Sequence, residues 1–84
     1  MKLSIKAIAL SAAILWGGSV LLVGLANLAA PDYGRAFLEL CASIYPGYHA
    51  DRTFLAVLVG TLYALVDGGV GGALFAWIHN QFAT

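Results

Sequence analysis

Two long apolar runs dominate the chain, one from about Ala7 to Ala30 and the other from about Phe54 to Ile78. Each exceeds the roughly 20 residues that a helix needs to cross a bilayer core. A helix also satisfies its backbone polar groups within the segment, which a lone span in hydrocarbon requires. Pro31-Asp32 stops the first run, because proline cannot extend a helix and restricts the residue before it. Asp32 is then a suitable N-cap for a second helix over about residues 33–45. There Phe37, Leu38, Leu40, Cys41, Ile44 and Tyr45 recur at helical spacing on one face. Arg35 and Glu39, at i and i+4, can pair on the other side. Pro46-Gly47 breaks this helix. Tethered at both ends to long apolar runs, an amphipathic helix is expected to lie in the interface plane. Tyr33, Tyr45 and Tyr48 at this end, with Trp77 at the other, match the aromatic belts of membrane surfaces. The pattern predicts an all-α membrane protein: a single membrane domain over residues 1–84, built as a two-span transmembrane helical hairpin with a short interfacial amphipathic helix in the connection.

Composition agrees. Of 84 residues, 62% are hydrophobic and only 10% charged, against about 25% charged in a soluble domain. Two spans leave no room for a separate soluble domain. Four basic and four acidic side chains cancel, so neither a nucleic-acid footprint nor a polybasic lipid patch is present. The start Met1-Lys2-Leu3-Ser4-Ile5-Lys6 has the basic character of a secretory signal, but the apolar stretch after it far exceeds the roughly 7–15 residues of a signal core. Pro31 directly after Ala29-Ala30 suits a peptidase cleft poorly. An uncleaved anchor is expected. Lys2, Lys6 and the terminal amine, weighed against Arg35 and Arg52, tip the balance toward both termini inside and the connection outside. Cys41 is the single cysteine, so it forms no internal disulfide and reads as a small apolar residue on a helix face.

Asp67 needs a reason. It lies near the middle of the second run, in Val66-Asp67-Gly68-Gly69-Val70-Gly71-Gly72. A carboxylate at the bilayer midplane costs roughly 2.5–3.5 kcal/mol even on lenient scales, so it should face protein or water. Counting inward along an antiparallel hairpin brings Asp67 level with Trp16, Gly17 and Gly18. The Trp16 indole N–H or the Ser19 hydroxyl is expected to hold it, within one chain or across a chain interface. Asn27 is a further polar residue of the first run. Steps of four along the second run give Ala56, Gly60, Ala64, Gly68, Gly72 and Ala76, a small-residue ribbon along which helices pack closely. That packing is expected inside the hairpin, against another copy, or against another protein. Ala9, Ala13, Gly17, Val20, Gly24 and Asn27 offer a looser matching face on the first run.

No enzyme chemistry is legible. His49 and His79 lack companions at metal-ligand spacing, and no nucleophile elbow or phosphate loop occurs. No catalytic, cofactor-binding or metal-binding residue is assigned, and no cofactor is expected.

The segment from Gly60 to Asn80 resembles the second span of a family of small prokaryotic two-span membrane proteins of unknown function, often automatically labelled bacteriophage holin or holin-like. The resemblance rests on Asp67 to Gly72 and Phe75-Ala76-Trp77, with support from Leu15-Trp16-Gly17 and Tyr45-Pro46-Gly47-Tyr48. It implies the hairpin fold. The end Asn80-Gln81-Phe82-Ala83-Thr84 departs from the strongly charged tail of many phage holins. The rotor subunit of ATP synthases is also a hairpin with a carboxylate in its second span. It keeps its glycine row mainly in the first span and a short Arg-Gln-Pro loop, and neither feature matches here. The expected function is architectural: a small integral membrane protein packing through its glycine-rich second span into a homo-oligomer or a larger membrane complex. The expected partners are the lipid bilayer, further copies of the chain or that complex, and no nucleic acid. The alternative is a holin-like or channel-like pore-forming oligomer in which Asp67 faces water.

Overall fold

A computed structural model describes residues 2–83. It contains three helices, α1 (Ile5–Ala29), α2 (Arg35–Ile44) and α3 (Phe54–Phe82). Both long helices start on a hydroxyl cap. Ser4 Oγ accepts from the Ala7 amide (3.2 Å) and Thr53 Oγ1 from the Ala56 amide (3.0 Å), satisfying donors that a helix start leaves free. α1 and α3 are each long and apolar enough to cross a membrane. Their large apolar side chains point mostly outward: Ile14, Leu15, Leu22, Leu55 and Val66 are among many exposed ones. A soluble protein would bury such a set.

α1 and α3 pack antiparallel along their length, and small residues make this possible. A side chain at Gly68 would strike the Ala12 carbonyl at 2.7 Å and the Ala13 Cα at 3.1 Å. One at Gly72 would meet the Ile8 carbonyl at 2.8 Å and the Ala9 Cα at 3.1 Å. Further along the seam, Gly24 lies against Val57 and Gly17 against Leu65. Between lipid-facing helices, association rests on such close van der Waals contact rather than on expulsion of water. Of the six-residue ribbon, Gly60, Ala64, Gly72 and Ala76 are buried, while Ala56 and Gly68 are half-buried. The matching face of α1 is also engaged: Gly17, Val20, Gly24 and Asn27 are its buried residues. The ribbon is thus used largely inside the chain.

Each end of the hairpin is tied by a polar clasp. At one end, the Asn80 side chain accepts from the Leu3 amide (2.7 Å) and donates to the Leu3 carbonyl (2.9 Å). At the other, buried Asn27 donates to the carbonyls of Pro31 (3.0 Å) and Tyr33 (2.9 Å). Arg52 donates to the carbonyls of Asn27 (3.1 Å) and Leu28 (2.9 Å), a cation on the free carbonyls of a helix C-terminus. Arg52 has φ 56°, a left-handed conformation costing an L-residue about 1–2 kcal/mol, which these hydrogen bonds offset.

α2 begins later than expected and without the Asp32 cap. Its N-cap is Gly34, with φ 66° and no side-chain bond. That conformation suits glycine, and the Val23 side chain occupies the space where a Cβ would sit. The exposed charges arrange as the spacing suggests, Arg35 lying 4.0 Å from Asp32 and 3.8 Å from Glu39. The orientation is the larger departure. Rather than lying flat across the hairpin end, α2 folds back along its side, from the level of Val23 to that of Trp16. That descent is about 10 Å at a rise of about 1.5 Å per residue. The chain then climbs back through Pro46–Thr53 to start α3. Leu38, Cys41, Tyr45 and Tyr48 are buried by this packing. Tyr45 and Tyr48 therefore sit against the hairpin, and only Tyr33 of the three connection tyrosines is exposed as a belt residue would be.

Candidate functional site at the middle of the hairpin

Trp16 and Asp67 lie near the midpoints of α1 and α3. They share a depth, as counting along an antiparallel pair requires, with the Trp16 Cβ packed at the Gly68 backbone. They do not bond directly. The Trp16 Nε1–H donates to the Tyr45 hydroxyl oxygen (2.8 Å), and that hydroxyl donates to Asp67 Oδ2 (2.8 Å). The expected second donor is engaged elsewhere: Ser19 Oγ donates to the Leu15 carbonyl of its own helix (2.7 Å), the usual back-bond of a serine in a span. Asn27, also expected among the intramembrane polar residues, serves the clasp near the connection and has no part in this chain of bonds.

Tyr45, which the sequence places among the belt aromatics, is the link between Trp16 and Asp67. It is the C-cap of α2, and Pro46-Gly47 turns the chain immediately after it. Its ring stacks on Tyr63 with centroids 5.2 Å apart and planes 5° from parallel. The Tyr63 hydroxyl in turn donates to the Pro46 carbonyl. Phe37 meets Trp16 edge-on at 5.5 Å. Tyr48 lies over Gly60, where a side chain would come within 2.8 Å of its ring. Val20, Cys41 and Ala64 complete the buried cluster. Aromatic rings thus fill a socket floored by small residues, and the hydroxyl at the tip of α2 is aimed at mid-depth.

Burial pushes the Tyr45 hydroxyl up to about 12, with its bond to Asp67 acting the same way and the Trp16 bond opposing. Tyr45 therefore remains a proton donor to Asp67 across the ordinary pH range. Burial, and secondarily the nearby Asp67 charge, also push the Cys41 thiol up, so this cysteine is both covered and disfavoured as a thiolate.

Asp67 itself stays exposed on the flank of the hairpin. Among the described residues, only Oδ2 receives a hydrogen bond. One turn further along α3, nothing lies within 4 Å of where a Gly71 side chain would be. An open apolar groove of about 350 Å³ runs from here toward the termini, between Ile8, Ala12 and Leu15 of α1 and Gly71 and Phe75 of α3. The arrangement positions a carboxylate and holds it through one oxygen. Compared with family models, curated proteins and solved structures, the chain matches none.

Proposed function

We propose that this chain is a small structural subunit of a membrane assembly, a prefolded hairpin that joins its complex laterally through the flank carrying Asp67. The observation that carries the reading is the exposed mid-length carboxylate, fixed by Tyr45 on one oxygen and open on the other. A hairpin alone in lipid would hold that group against hydrocarbon, at roughly 2.5–3.5 kcal/mol. A neighbouring protein relieves the cost. The glycine ribbon, in this reading, makes the hairpin rigid, and the assembly surface is a different face. The location in this reading is a prokaryotic cell membrane, as the resemblance implies, with both termini cytoplasmic on the balance of flanking cations. The resemblance to small holin-like membrane proteins fits the same topology.

The test is the mass of the particle extracted in mild detergent from its native membrane. A particle much heavier than one chain supports the subunit reading, and a lone hairpin overturns it. The second reading is a pore-forming oligomer with Asp67 on water, which the same exposed carboxylate favours. Loss of membrane potential on expression, altered by Asp67→Asn, would bring that reading forward.

A further inference from the structure

We infer that the open part of the Asp67 flank is the docking surface for one transmembrane helix of a different protein, bearing a lysine or arginine at the depth of Asp67. The inference rests on the subunit reading above and names its surface and partner. The flank shows its own binding mode. Toward the connection it is covered by α2 and the returning chain, with Tyr48 seated on Gly60 and Tyr45 reaching Asp67. Toward the termini the same flank is bare, floored by Gly71 and walled by Leu15 and Phe75. A helix entering there continues the line of α2 and can bring its backbone close to Gly71, where no side chain intervenes.

Charge decides the occupant. Among the described residues no donor reaches Asp67 Oδ1. An acyl chain would fill the groove but offers no donor. A second copy offers no cation at this depth. Lys2 and Lys6 lie at the start of α1, Arg35 lies beside Asp32 and Glu39, and Arg52 is bonded to the α1 carbonyls. A symmetric second copy would set acid against acid, which opposes pairing. A foreign span with a cation satisfies both the groove and the carboxylate, since intramembrane charges are stable when paired.

The experiment uses the full chain, tagged, extracted from its native membrane in mild detergent. Asp67→Asn still accepts from Tyr45 but removes the charge, and Gly71→Leu fills the floor. Each is expected to lower recovery of the partner by about tenfold, the equivalent of about 1.4 kcal/mol. Ile14→Ala, on the opposite flank, is expected to leave recovery unchanged. Protection of the Cys41 thiol from maleimide confirms that each variant is folded. The recovered partner should carry a mid-span lysine or arginine. Asp67→Lys should abolish the complex, and changing that partner cation to aspartate should restore it.

The failures are distinct. A lone wild-type hairpin refutes the subunit reading. A particle containing only this chain keeps that reading and overturns the foreign helix. Undiminished recovery in Asp67→Asn and Gly71→Leu overturns the surface, and a charge swap without rescue overturns the cationic partner.

Discussion

One flank of the hairpin is treated in two ways along its length. Toward the connection, Gly60 and Ala64 form a floor on which Tyr48 and Tyr45 rest, and the cluster around them is closed. Toward the termini, Gly71 provides an equally small floor with nothing on it. Asp67 sits at the border, bonded from the closed side and free on the open side. The comparison teaches that a small residue in a span is only an opportunity for contact. Whether it becomes a packed seam depends on a partner of complementary shape, which the chain supplies for one half through its own connection.

The hairpin seam underlies both halves, so breaking it should have the largest effect. Gly68→Leu would drive a branched side chain into the Ala12 carbonyl and the Ala13 backbone. Neither can step aside as a flexible side chain could. Overpacking of this kind typically costs about 1–3 kcal/mol, and rigid backbone on the opposing face places this case at the upper end or beyond. The readout is the midpoint of unfolding from mild into denaturing detergent, followed by Trp16 fluorescence in a Trp77→Phe background. An unshifted midpoint would mean the helices do not meet at Gly68.

The next effect isolates the closed half. Tyr45→Phe retains the ring on Tyr63 but strips both the acceptor of Trp16 and the donor to Asp67. Leaving such groups without a partner costs about 1–3 kcal/mol. The seam should stay intact while α2 opens more often. Cys41, on the face of α2 buried against the hairpin, reports this directly: its labelling by maleimide should accelerate by about tenfold or more, given that about 1.4 kcal/mol is tenfold. Equal rates in the two proteins would sink the latch.

Alkali should release the same latch without a mutation. Because the folded Tyr45 hydroxyl is raised to about 12 from a reference near 10, its contribution is complete below about pH 10. It is lost as pH rises through about 12. In an ultraviolet titration the step at about 12 should vanish in Tyr45→Phe, while Tyr48, which burial also pushes up, keeps its own step. A step at about 12 that survives the substitution would assign it to another tyrosine.

Much of the fold was legible in the sequence, because run length and period are strong signals. The existence of both long helices, the row of small residues at the seam and the shared depth of Trp16 and Asp67 follow from counting, whereas α1 starts two residues before the apolar run and α3 continues four residues beyond it, to Phe82. What counting cannot give is the direction a connection takes after it leaves a helix. Nothing periodic says that α2 turns back along the hairpin rather than across its end, so Tyr45 reads as a belt aromatic. The available signal was local: Tyr45 and Tyr48 flank Pro46-Gly47, a turn that presents both rings to one side. Arg52 was missed for a similar reason. Its role depends on a left-handed backbone and on α1 carbonyls brought near by folding. The exposure of Asp67 is likewise a matter of rotation about α3. Period alone leaves that rotation undetermined in a helix apolar all round.

The smallest effect sharpens the comparison most, because it makes the same change in each half. Gly71→Ala adds a methyl group into space that is empty for 4 Å, and replaces a mid-helix glycine with a better helix former. In the isolated chain it should be neutral or stabilising by up to about 1 kcal/mol. Gly60→Ala sets its methyl group 2.8 Å from the Tyr48 ring, well inside ordinary contact, so the ring must retreat and part of the socket opens. Tyr48 can move more readily than backbone, which keeps the net cost small, but its sign should be opposite to that at Gly71. The difference is measured in detergent as Cys41 labelling: faster for Gly60→Ala, unchanged or slower for Gly71→Ala. In the native membrane the Gly71 result should reverse, because the methyl group that meets nothing in the lone chain would meet the docked helix. If Gly71→Ala is as harmless in the membrane as in detergent, the open half stays open there, and its emptiness is a property of the working protein.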